Sequence, residues 1–179
     1  MEKNLNLSIA NLVAEKLRSL GAEVRLTRKD DTYIDLKDRP KVAEDAGADL
    51  FVSIHCNSNG KPESVCGTET YYHRQDPSSR ALAQAVQMSV VEAARTPDRG
   101  AKSDLSLFES GLAVLRHATV PSALLEIGFL NHSQDRAKLQ DESFQKLVAE
   151  AIVKGLCRYV DDEESLKKEL TNVTASAQP

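Results

Sequence analysis

The chain has 179 residues, with 23 Lys and Arg against 27 Asp and Glu and a formal net charge of −4. That length suits one domain, able to bury roughly 70% of its unfolded surface around a core that needs no staples. The mild negative charge excludes the dense basic surface that unspecific binding to nucleic acid or to an anionic membrane requires. Cys56, Cys66 and Cys157 are too few and too scattered for a disulfide framework or a CxxC metal knuckle. Apolar runs stay short of the roughly 18–20 residues of a membrane helix. The start, Met1-Glu2-Lys3-Asn4, is too polar for a secretory h-region, so a soluble chain without an export address is expected.

From Asn4 to Leu20 the apolar residues Leu5, Ile9, Leu12, Val13, Leu17 and Leu20 recur at steps of three and four, and Gly21 stands where a helix C′ glycine belongs. Ala22 to Thr27 then alternates, Val24 and Leu26 against Glu23 and Arg25, which predicts a short half-buried strand. A second helical stretch with Leu36, Val42, Ala43 and Ala46 runs to Gly47. Leu50 to His55 is nearly continuous in apolar residues, as in a strand covered on both faces. Thr68 to Tyr72 predicts another strand, and a helix with Leu82, Ala85, Val86 and Val90 inward follows Pro77-Ser78. Arg95 to Leu107 reads as polar and irregular. Leu112 to Leu115 and Ser122 to Ile127 are the last two predicted strands, Pro121 restricting the entry to the second. The closing helix carries Phe144, Leu147, Val148, Ala151, Ile152, Gly155, Leu156 and Tyr159 at unbroken helical spacing. From Asp161 the chain becomes polar, which predicts a partly helical and then disordered tail over 161–179.

Helices alternating with short apolar strands specify an α/β domain over residues 1–160: a mostly parallel twisted sheet flanked by helices on both faces. Such domains usually open on a strand. This chain opens on a helix, so the first strand of the pattern is missing.

In an open α/β sheet the functional crevice lies at the carboxyl ends of the strands, where loops and helix N-termini gather. His55 ends the strand from Leu50, Glu126 lies near the end of Ser122 to Ile127, and Glu2 starts a helix from the same rim. An imidazole and a carboxylate there are ligand types of a catalytic zinc, which leaves a position for water. A further carboxylate then serves as general base. Glu126 has the setting for that role, because Leu124, Leu125, Ile127, Phe129 and Leu130 desolvate it and raise its pKa. Blander readings stand beside these. A lone histidine at a strand end is more often structural than ligating, and an acid in a first helical turn usually serves only the helix dipole. His73, His117 and His132 lie in polar turns and are expected to face solvent. Cys56 points to the face opposite His55. Arg28, Arg39, Arg99 and Lys102 are candidate contacts for an anionic substrate, with solvated surface charge as the default for each.

The wording of the motifs narrows this further. Glu2 to Ala10, Val24-Arg25-Leu26-Thr27-Arg28, Arg39, Ala48 to Asn57, Gly67-Thr68-Glu69-Thr70-Tyr71-Tyr72, Arg99-Gly100-Ala101-Lys102, Val114-Leu115-Arg116 and Pro121 to Asn131 follow one another over about residues 2 to 160. Together they resemble the zinc-dependent N-acetylmuramoyl-L-alanine amidases of the bacterial cell wall, the amidase-3 family. The resemblance implies hydrolysis of the amide between N-acetylmuramic acid and the first L-alanine of the stem peptide. In that family zinc is held by His, Glu and His. Glu2 matches the glutamate ligand, His55 the second histidine and Glu126 the catalytic glutamate. The first histidine lies in a Gly-His-Gly-Gly segment after the first strand and has no counterpart here, so the missing strand and the missing ligand are expected to be one and the same loss. The implied cofactor is Zn2+, and the implied partners are the stem peptide and glycan of peptidoglycan, with no nucleic acid, no membrane span and a monomeric state. The periplasm, cell wall or exterior is implied by the substrate. Two rival readings remain: an inactive amidase-like module that binds peptidoglycan or a partner protein, and a metal-free hydrolase using Glu2 and Glu126, which leaves His55 unexplained.

Overall fold

The computed structural model describes residues 1–73 and 76–176, with 165–176 as backbone alone. Helix α1 spans Glu2–Ser19 and buries Ile9, Val13 and Ala14. It ends as its glycine predicts: Gly21 has φ +90°, its N–H reaches Arg18 O at 3.0 Å, and Ala22 N–H reaches Leu17 O at 3.0 Å. This is the paired Schellman closure of a helix C-terminus. The short α2, Lys41–Asp45, ends in the same way, with Gly47 at φ +60° and Ala48 N–H on Ala43 O at 2.9 Å.

Strands β1 (Phe51–Asn57), β2 (Thr68–Tyr72), β3 (Asp98–Ser103) and β4 (Ser122–Phe129) form one sheet in the order β1-β4-β2-β3. β1 and β4 pair in parallel, as do β2 and β3, while β2 and β4 are antiparallel. The mostly parallel α/β sheet with helices on both faces is therefore as expected. On one face α1, α3 (Pro77–Ala94) and α6 (Glu142–Ser176) enclose the larger core, including Ile9, Val86, Val90, Leu125, Ile127 and Ile152. On the other, Phe51, Tyr71 and Leu124 meet Ala43 of α2 and Val114 and Leu115 of α4 (Ala113–Arg116). Asp76 caps α3 by accepting from Ser78 N–H at 3.1 Å, with Pro77 at its first position.

Four sequence expectations are corrected. Ala22 to Thr27 is irregular, because a strand exists only with a ladder partner and none of the four described strands runs beside it. Arg95 to Leu107 contains β3, an edge strand of charged and small residues that pairs with β2. Such polar edges lack the apolar alternation of an inner strand. Leu112 to Leu115 is the helical turn α4, since a four-residue apolar run fits either period. Leu147, expected to be inward, is 41% exposed on α6. That helix continues to Ser176, over the part of the 161–179 segment expected to be partly helical. The remainder of that expectation, 177–179, lies outside the described residues. Helix α5, Ser133–Gln140, has no apolar periodicity strong enough to predict it.

Candidate active site

Register places the chemistry. His55 pairs with Glu126 across β1 and β4, and Glu126 pairs with Glu69 across β4 and β2. Residues opposite one another in a sheet share a face, so the three side chains stand abreast on the face covered by α2 and α4. Cys56, one residue on from His55, falls into the opposite core, where burial and the charges of Glu2 and Glu126 push its thiol up to about 12.

Glu2 arrives from the first turn of α1. Its Oε1 lies 2.9 Å from His55 Nδ1, and His55 Nε2 lies 3.1 Å from Ser53 Oγ. The bond from His55, helped by Asn6 Nδ2 donating at 3.0 Å, holds the Glu2 carboxyl at about 2 against the opposing effect of burial. Glu126 differs. Its Oε2 is buried without a hydrogen-bond partner among the described residues. Burial first, then the charges of Glu2 and Glu69, push its pKa up to about 8. Ionised, that oxygen would have lost its water and gained no donor.

One strand over, Glu69 has the donors that Glu126 lacks. Asn57 Nδ2 and Tyr71 OH each donate to Oε1 at 2.8 Å, while Arg99 Nε and Lys102 Nζ donate to Oε2 at 2.8 and 2.9 Å. Burial acts to raise its pKa, but Lys102, Tyr71 and Arg99 outweigh it and hold the carboxyl below its ordinary value. Two neighbouring carboxyl groups thus have opposite proton affinities, the arrangement that separates proton transfer from fixed charge.

The structure brings Glu2, His55 and Glu126 to one rim. Arg99 and Lys102, read as solvated by default, are engaged on Glu69, and each side chain is 33% exposed. Arg28 and Arg39 serve backbone: Arg28 Nη1 donates to Asp30 O at 2.9 Å and Arg39 Nε to Ile34 O at 3.1 Å. Glu69 itself escaped sequence reasoning. The available signal was an acid between two threonines inside an otherwise uncharged strand. Two of the three turn histidines do not face solvent. His73 Nδ1 lies 2.8 Å from buried Asp104 Oδ2, and the side chain of His132 is only 14% exposed, whereas His117 is exposed as expected.

The donor types at the rim, an imidazole nitrogen and a carboxylate oxygen on separate elements and in contact, fit a zinc ion. Among the described residues no third His, Cys, Asp or Glu joins that pair closely enough to share one ion.

The family model described as N-acetylmuramoyl-L-alanine amidase, Amidase_3, matches residues 1–158. Protein YqiI of Bacillus subtilis is 40% identical over 162 residues, covering 89% of this chain and 75% of YqiI. N-acetylmuramoyl-L-alanine amidase LytC of the same organism is 36% identical over 161 residues, and the match spans 89% of this chain but 31% of LytC. An N-acetylmuramoyl-L-alanine amidase from Clostridium difficile 630 superposes with a TM-score of 0.84 at 38% identity, covering 90% of this chain and 84% of that one. The catalytic domain of the amidase CwlV from Bacillus (Paenibacillus) polymyxa var. colistinus gives 0.81 at 41% identity, covering 90% and 86%. The chain belongs to the Amidase_3 family of N-acetylmuramoyl-L-alanine amidases.

Proposed function

We propose that residues 1–160 hydrolyse the amide between N-acetylmuramic acid and L-alanine in peptidoglycan, in a zinc-dependent reaction at the cell wall, acting as a monomer. On this reading 161–179 is a polar extension outside the catalytic unit. The observation that carries it is Glu126: a partly buried carboxyl with one buried, unpartnered oxygen and a pKa pushed up to about 8, abreast of a His55 that is bonded to Glu2.

Glu2 and His55 are the residues that would hold zinc. When bound, the ion supplies Lewis-acid polarisation of the amide carbonyl and makes water more acidic. Glu126 acts from its ionised form, which a cation held by Glu2 and His55 would favour over the protonated form that a pKa of about 8 otherwise favours at neutrality, and its carboxylate accepts the proton of the attacking water. As the C–N bond breaks, it returns that proton to the departing alanine nitrogen, so the carboxyl ends as it began. Glu69, fixed by its four donors, keeps a constant negative charge one strand away and raises Glu126's affinity for the shuttled proton. Arg99 and Lys102 are held in place by Glu69.

The lack of a third acid, cysteine or histidine ligand at Glu2 and His55 among the described residues favours a second reading, an inactive module that binds peptidoglycan or a partner. Incubating the chain with purified peptidoglycan and zinc separates the two. Release of new L-alanine amino termini that disappears in His55→Ala, together with loss of bound zinc in that variant, supports the amidase. Binding to peptidoglycan with no new amino termini supports the inactive module. Zinc bound in full by His55→Ala removes the ligand assignment.

A further inference from the structure

A second set of donors gathers beyond the carboxyl end of β4. Cys66 lies just before β2, His132 caps α5 from its N-terminal side, and Asp135 sits in the first turn of that helix. One ligand atom from each comes within 4.8 Å of the others.

The segments that carry them are held by bonds unrelated to any ion. Asp135 Oδ2 accepts from Gly67 N–H and from Phe129 N–H, each at 2.9 Å, which ties the residue after Cys66 to the end of β4. The Glu63 carboxylate accepts Ser133 N–H at 2.9 and 3.1 Å and Ser133 Oγ–H at 2.9 Å. Asn131 Nδ2 donates to Asn59 Oδ1 at 2.7 Å. The loop between β1 and β2 is therefore clamped onto the turn between β4 and α5 before any ligand arrives, so little ordering remains for a ligand to impose.

One atom in this clamp is unexplained. His132 Nδ1 is buried with no hydrogen-bond partner among the described residues. A ring nitrogen withdrawn from water without a partner is unfavourable unless something else fills its lone pair or takes its proton. The His132 ring lies beside the partly buried Cys66 and the carboxylate of Asp135, a residue that is 4% exposed.

We propose that Cys66, His132 and Asp135 form a binding site for a borderline-soft divalent cation such as Zn2+, distinct from the pair of His55 and Glu2. Sulfur, imidazole nitrogen and carboxylate oxygen are the donor types such ions select, whereas a hard ion such as Mg2+ takes oxygen alone. Tetrahedral bonds of about 2.0–2.3 Å set ligand atoms about 3.5 Å apart, so atoms already within 4.8 Å of one another need only a small closure onto the ion. On binding, a metal–sulfur bond replaces the S–H bond of Cys66 and the proton leaves to solvent. Water takes the fourth position, while the Glu63 carboxylate, with Oε2 3.9 Å from His132 Nε2, faces the other ring nitrogen. An ion here fastens the β1–β2 loop, and through it the start of the strand that carries Glu69, to the β4–α5 turn.

Cobalt(II) added to the full chain is the test, because a thiolate ligand gives a near-ultraviolet charge-transfer band and the His55–Glu2 pair has no sulfur. The expected result is a band that saturates at one equivalent and persists in His55→Ala and Cys157→Ser. In Cys66→Ser it is lost. In His132→Ala the affinity falls by at least the roughly 10–100-fold that loss of a supporting partner costs a metal site. No band in the unsubstituted chain, or a band that survives Cys66→Ser, overturns the proposal. A second measurement needs no substitution: Zn2+ should slow alkylation of Cys66 at least tenfold while leaving exposed Cys157 unaffected. Equal labelling of Cys66 with and without Zn2+ overturns the proposal as well.

Discussion

The two faces of the sheet do different work with the same strands. Toward α1, α3 and α6 the side chains of Val86, Val90, Leu125, Ile127, Val148 and Ile152 are fully buried. The helices come so close there that a Cβ at Gly155 of α6 would stand 2.8 Å from Val86 Cα on α3. Toward α2 and α4 the apolar cluster is small, and the row beside it is His55, Glu126 and Glu69. Leu125 and Glu126 are chain neighbours with opposite fates because a strand sends successive side chains to opposite faces. The helix face supplies the stability that lets the other face keep an unpaired acid away from water.

The largest way to break this division is on the polar face. Glu126→Gln should lower amide hydrolysis by about 10²–10⁴-fold, the usual worth of a positioned proton-transfer group, while the melting temperature stays the same or rises because an amide folds without having to take up a proton. Hydrolysis rates and thermal melts on one preparation check both halves. A loss of folding in step with activity would place Glu126 among the structural residues.

On the helix face the outcome should be reversed. Gly155→Ala forces backbone against backbone, with the new carbon also 2.9 Å from Ala85 O. It should cost about 1–3 kcal/mol of stability, as overpacked cores do, or several degrees in Tm at about 2–4 °C per kcal/mol for a chain of this size. Hydrolysis per folded molecule should be unchanged. Denaturant melts and rates normalised to folded protein measure the two effects.

A further effect is a pH dependence of stability. Glu126 binds its proton more tightly when folded, with a pKa of about 8 against an ordinary 4.5. Its contribution is therefore most favourable below about 4.5 and is lost as pH rises through 8. Glu2 works in the opposite sense: at about 2 when folded, its contribution is present above 4.5 and is lost as pH falls toward 2. Urea midpoints for the unsubstituted chain should decline relative to Glu126→Gln between pH 4.5 and 8. Parallel curves would remove Glu126 as the source.

What was legible in the sequence follows the same two faces. Strong apolar periods at Ile9 and Val13, and at Val148 and Ile152, located α1 and α6, and the helix-ending glycines Gly21 and Gly47 located the stops of α1 and α2. The acid at Glu126 stood out because its neighbours are apolar. Glu69 stayed hidden, and Arg99 and Lys102 were named without their partner, because their meaning lies in a cross-strand pairing between β2 and a polar edge strand, and a single segment's periodicity carries no record of its partner. The Ala22 to Thr27 alternation misled for the related reason that alternation marks a strand's faces and says nothing of the neighbour it needs. His132 was misread because the loop that covers it, held by Glu63 and Asn59, comes from about seventy residues away in the chain.

The central claim is that two carboxyl groups in register, Glu126 and Glu69, hold opposite proton states near neutrality. Infrared difference spectra of metal-free protein across a pH titration test it most directly, since a protonated carboxyl has a carbonyl band that a carboxylate lacks. The account predicts one carboxylic-acid band that persists at neutral pH, disappears around a pH of about 8, and is absent from Glu126→Gln. A spectrum in which every carboxylic-acid band has gone once the pH is well above the ordinary 4.5 would contradict it.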